Sequence, residues 1–121
     1  MKLWTIRDEQ MKAFEEPLRE EFLRRATQFL RRHFESCKQM PREELDAMAE
    51  KGLLQAQGYG IVTERDVCKF LGVIAVLGED LAARYDWARR ILQSDAGPTL
   101  KVNRLVARAA SEAGETTGKT K

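Results

Sequence analysis

Histidine and cysteine are scarce in this chain. It has one histidine, His33, and two cysteines, Cys37 and Cys68, in 121 residues. Two cysteines are too few for a disulfide scaffold, which points to free thiols in a reducing compartment. His33 and Cys37 stand one helical turn apart, half of a zinc site, but Cys68 stands alone and the other half is missing. Charge of one sign is lacking too: 21 basic and 19 acidic residues leave a net +2. That balance argues against a protein built around a polyanion. There is no long apolar run. Residues 70–78 form the longest, far too short to cross a bilayer. The start, residues 1–9, turns acidic before any signal-like apolar core forms, so a cytoplasmic protein is expected.

What is present is helix signal. A chain of this length suits one domain, with about two-thirds of its unfolded surface buried on folding. Thr5 and Asp8 fit the start of a first helix over 6–15. Pro17 suits the first turn of a second. There Leu18, Phe22, Ala26, Phe29, Leu30 and Phe34 recur at three- and four-residue steps. A break is expected around 35–40. Pro41 then opens a third helix over 42–57, with Leu45, Met48, Ala49, Leu53 and Ala56 on one side. Gly58 or Gly60 ends it in a left-handed conformation.

Thr63, three residues before Asp66, begins a fourth helix that stops at Gly78. Its run from Val67 to Leu77 is apolar nearly all round, the pattern of a helix packed on several sides. Asp86 is a candidate cap for a short helix over 87–92. Gly97-Pro98 breaks the chain, and a last helix runs to about Ala113 on Leu100, Leu105, Val106 and Ala109. Residues 114–121 have no large apolar side chain and are expected to be a disordered tail. The expectation is an all-α fold: a compact bundle of five to six short helices around a buried central helix, about 64–77, in a single domain over 1–113.

Catalytic constellations are not evident. A nucleophilic cysteine needs a base and a lowered pKa, whereas Cys68 lies in an apolar run that raises it. Gly58-Tyr59-Gly60 lacks the third glycine and the preceding strand of a dinucleotide loop. The carboxylates cluster at helix starts, where they complement the helix dipole. Asp66 is the exception, a polar residue opening the most apolar helix. Arg24, Arg25, Arg31 and Arg32 form a basic stripe, but glutamates interleave with it, and a solvated, ion-paired helix face is the better reading. Neither an enzyme nor a cofactor site nor a metal site is expected, and no nucleic-acid or membrane partner.

Residues 22–92 resemble a family of small helical proteins encoded in bacterial type VI secretion effector clusters. The segments that carry the likeness are Phe29-Leu30-Arg31-Arg32-His33-Phe34, Gly58-Tyr59-Gly60-Ile61-Val62-Thr63-Glu64-Arg65-Asp66-Val67-Cys68, the apolar helix ending Leu77-Gly78-Glu79-Asp80-Leu81, and Trp87-Ala88-Arg89-Arg90-Ile91-Leu92. Gly72, Val73, Ala75 and Val76 depart from the more aromatic central helix expected of the family. The resemblance implies a co-chaperone role: binding an effector-loading adaptor chaperone, a toxin effector, or both. It brings no catalytic residues.

Trp4, Phe14, Tyr85 and Trp87 are candidate partner-binding anchors, because tryptophan and tyrosine concentrate at interface hot spots. Tyr59, Gly60, Thr63, Arg65 and Asp66 are expected to form a structural hub where the third helix turns into the fourth. Two other roles suit the same sequence: an immunity protein that binds and inhibits a cognate toxin, and a small basic helical nucleic-acid binder.

Overall fold

The computed structural model describes residues 16–118, with side chains described over 19–112. The expected helix over 6–15, and with it Trp4 and Phe14, lies outside the described residues. Among the described residues the fold is all-α, with seven helices and no strand. They are α1 (Glu16–His33), α2 (Glu35–Lys38), α3 (Arg42–Gly58), α4 (Glu64–Leu77), α5 (Leu81–Arg84), α6 (Asp86–Leu92) and α7 (Pro98–Gly118).

The central helix is α4, which packs against α1, α2, α3 and α7. Val67, Phe70, Leu71, Val73, Ile74 and Leu77 are all buried, on more than one side of it. Around it α1 contributes Phe22, Ala26 and Leu30, and α3 contributes Leu45, Met48, Ala49, Leu53 and Ala56. Each fully buried side chain of this size stabilises the fold by about 1.5–3 kcal/mol relative to exposure. Gly52 lets α3 approach closely. A Cβ there would overlap Leu71 Cδ2 and come within 2.9 Å of Ile74 Cδ1. Helical spacing alone gives no sign of that contact.

Local chemistry sets each end of α4. Before it, α3 closes in a Schellman motif: the Ile61 amide donates to the Ala56 carbonyl at 2.8 Å, and the Gly60 amide to Gln57 at 3.0 Å. Gly60 takes φ +82°, so it is Gly60 rather than Gly58 that supplies the left-handed residue. Ile61, just beyond, is fully buried and anchors the turn. The Thr63 hydroxyl then accepts from the Asp66 amide at 3.2 Å and caps α4. At the far end the Gly78 amide donates to Ile74 at 2.7 Å with φ +109°. The Arg84 guanidinium donates to the Leu77 carbonyl at 3.2 Å.

The Asp66 carboxylate does not return to its own helix. It accepts a 2.7 Å hydrogen bond from the Thr99 hydroxyl in the first turn of α7, and it is buried. One turn on, Lys69 donates to Asn103 at 3.1 Å. These two pairs show that α4 and α7 run in the same direction. Parallel neighbours need a crossover, and α5 and α6 supply it.

Four details differ from the sequence pattern. The break after α1 is a single extended residue, Phe34, followed by the one-turn α2, whose last carbonyls lie under Arg31. Arg31 donates to the carbonyls of Cys37, Lys38 and Met40 at 3.1–3.3 Å, so an arginine of the basic stripe acts as a helix cap. Asp86 does not cap α6. It is the helix's first residue and accepts from Arg89 at 2.9 Å, while Tyr85 occupies the cap position without a side-chain bond. In α7, Val102 joins Leu105 and Ala109 in the core, whereas Leu100 and Val106 are exposed. The parallel register with α4 turns a different stripe inward. Finally, α7 extends to Gly118, beyond the end near Ala113 expected from the loss of apolar residues. Lengthening a formed helix costs little per residue.

The Asp66–Thr99 bond ties the two parallel helices together, so it is expected to appear as a coupling. Asp66→Ala should lower unfolding free energy by about 1–3 kcal/mol, because it removes a hydrogen bond to a buried carboxylate. Adding Thr99→Val to Asp66→Ala should cost less than Thr99→Val alone. Strict additivity in urea denaturation of the double-mutant cycle would show that the bond is not made.

Candidate functional site: an apolar groove between α4 and α7

A helix that is apolar nearly all round has to be covered nearly all round. The described residues of α4 are covered everywhere but along one strip, where Val76 is 42% exposed. Across from it on α7, Val106 is 37% exposed. Between them runs a groove of about 310 Å³. Lys69, Gly72, Val73 and Val76 line it from α4, at the steps of one helix face. Val106, Ala109 and Ala110 line it from α7, and Phe29 and Phe34 close the side at the end of α1.

Each wall has a local cause. The extended backbone at Phe34 turns its ring over Gly72, where a Cβ would stand 3.0 Å from Phe34 Cζ. Thus Gly72 makes room for the ring that forms the wall. Phe29 packs edge-on to Phe34, with centroids 6.2 Å apart. Ser36 of α2 donates to the Ala75 carbonyl at 3.0 Å and holds this corner against α4. At the other end of the groove, Lys69 is the one charged side chain among the described residues of its lining. The chemistry available is burial of apolar surface with a single cation at the margin.

The predicted anchors lie elsewhere or outside view. Trp4 and Phe14 fall outside the described residues. Tyr85 and Trp87 stack at 5.5 Å on the α5–α6 side of the fold, half-buried against the core. Arg84 lies 5.6 Å from the Tyr85 ring and Arg108 lies 4.8 Å from the Trp87 ring. This aromatic–arginine patch does not line the groove. Among the hub residues, Tyr59 is half-buried after α3, Gly60, Thr63 and Asp66 hold the turn described above, and Arg65 is exposed on the first turn of α4. The hub therefore positions the groove without lining it.

Several other chemistry-bearing residues are held in structural roles. Arg24, Arg31, Arg32 and Arg42 line a cleft between α1 and α3. Arg42 pairs with Asp46 at 3.3 Å, Arg24 lies 3.8 Å from Glu21, and Arg31 caps α2. Arg25 pairs with Glu64 at 3.3 Å, tying α1 to the start of α4. His33 ends α1 and stacks on Phe29 at 4.6 Å. Because Phe34 breaks the helix, the four-residue step to Cys37 does not follow one helix face.

Both thiols are buried and free. Burial pushes the Cys68 thiol up to about 12, with the nearby Glu64 charge adding to the rise and Arg25 offsetting part of it. Burial also raises Cys37, against a smaller lowering by Ser36 and Arg31. Sequence reasoning found none of the groove's exposed valines as site residues. The available signal was an apolar helix with more sides than the pattern supplied neighbours. No known family model, curated protein or solved structure matches the chain.

The thiol at the groove floor gives a direct check. With its ionisation near 12, Cys68 holds only about one thiolate in ten thousand at pH 8. The folded state binds this proton more tightly than the unfolded chain. Its contribution to stability is therefore complete below the ordinary value of 9.0 and is lost as pH rises towards 12. In a Cys37→Ser variant, a disulfide reagent at pH 8 should label Cys68 slowly in buffer and fast in urea. Equal rates would contradict this burial.

Proposed function

We propose that this chain is a non-enzymatic protein-binding accessory factor that receives an apolar segment of its partner in the α4–α7 groove. The observation that carries this reading is the pair of exposed valines, Val76 and Val106, on the two walls of an otherwise apolar trough. Two helices side by side, each presenting residues at three- and four-residue steps, form a seat for a third helix. The non-enzymatic reading is supported by the state of the nucleophiles: Cys68 is buried with a raised pKa, and Asp66 is engaged by Thr99.

The setting comes from the likeness of residues 22–92 to the small helical proteins of type VI secretion effector clusters. On that reading the chain is a cytoplasmic co-chaperone, and its partner is an effector-loading adaptor or the toxin effector itself. A client toxin or adaptor with an apolar helix uncovered before assembly is the kind of partner the groove suits. No described helix is long and apolar enough to cross a membrane.

Co-expression of the chain with the adaptor and the toxin encoded beside it tests this. The chain should co-purify with one or both. Val76→Asp, which places a charge on the exposed wall, should weaken that association about tenfold or more and leave the fold intact by circular dichroism. Separate recovery of all three proteins contradicts the reading. Protection of growing cells from the toxin by this chain without the adaptor would make it an immunity protein instead.

A further inference from the structure

Among the described residues the groove has one cation, and that cation faces no carboxylate. Lys69 lies in the lining at the end nearest the start of α4. Its ammonium group donates to the neutral side-chain amide of Asn103 at 3.1 Å. Two arginines of neighbouring turns are offset: Arg25 pairs with Glu64 and Arg108 with Glu112. A charge at the rim of an apolar trough decides which partners enter it and in which direction, more than how tightly they bind. The remaining described lining, Phe29 and Phe34 included, carries no charge.

Resting on the partner-binding reading above, we infer that the groove takes an amphipathic helix of a partner protein bearing a carboxylate at one end of its apolar face. The apolar face lies along Val73, Val76 and Val106, and the carboxylate meets the Lys69 ammonium. The small side chains of Ala109 and Ala110 let the incoming helix approach α7 closely. Lys69 thereby fixes the polarity of the docked helix. A partner segment with a lysine or arginine at that position is disfavoured by like charge.

Two synthetic amphipathic helical peptides test this, identical on the apolar face and carrying either glutamates or lysines at one end. Binding is read by fluorescence anisotropy on the full chain at low and high salt. The wild-type chain is expected to prefer the glutamate peptide by about threefold, the scale of an exposed ion pair, with the preference shrinking in salt. Lys69→Glu should reverse the preference, and Val106→Asp should weaken both peptides. Equal binding of the two peptides by wild type, with Val106→Asp still weakening both, overturns the role of Lys69 and leaves the groove as a binding site. Failure of either peptide to bind, or binding untouched by Val106→Asp, overturns the groove itself. Sedimentation showing a dimer that Val106→Asp dissociates overturns the inference by making a second copy the occupant.

Discussion

The structure depends on one constraint: α4 is apolar nearly all round and must be kept from water on nearly every side. Most of the other described helices answer to it. α1 and α3 cover two sides, α2 holds a corner through Ser36, and α7 runs parallel to it on the far side. Parallel placement puts the start of α7 beside the start of α4, which is where Asp66 meets Thr99. It also obliges the chain to return from the end of α4 to the start of α7, and α5 and α6 make that return. Gly78, with φ +109°, begins it.

The groove is the part of that constraint left unmet. Covering the exposed walls at Val76 and Val106 would gain roughly 25 cal/mol for each Å² removed from water. Among the described residues the intramolecular cover stops short: the Phe34 ring lies over Gly72, and α7 presents small alanines there. A natural sequence that leaves valines of two adjacent helices uncovered carries a local conflict, and such conflicts concentrate where proteins do their work. In this fold the conflict and Lys69, which pairs with no carboxylate among the described residues, sit in the same trough. That coincidence links the packing of α4 to recognition of a partner.

Much of the fold was legible in residue order, since its causes are local. Thr63 before Asp66 marks a cap, Gly60 a left-handed stop, and the stripe from Leu45 to Ala56 an inward face; each follows from neighbours within five residues. The site was not legible, because its causes are tertiary. Whether Val102 or Val106 turns inward depends on the register of α7 against α4, in which Asp66 meets Thr99, far apart in sequence. Gly52 reads as an ordinary helical glycine until Leu71 is placed against it. Arg31 reads as surface charge until three carbonyls arrive beneath it. Tyr85 and Trp87 stand out by residue type alone, and the structure places them in a tilted ring pair against the core, away from the groove.

The central claim is that partner contact falls on the uncovered strip of α4 and its facing wall on α7. Methyl resonances of the valines report this directly. Titrating the isotope-labelled chain with the adaptor or toxin encoded beside it should move the methyls of Val73, Val76 and Val106 while those of Val67 and Val102, buried away from the groove, stay in place. Unmoved groove methyls alongside shifts gathered around Tyr85 and Trp87 would contradict the account and place the interface on the α5–α6 side.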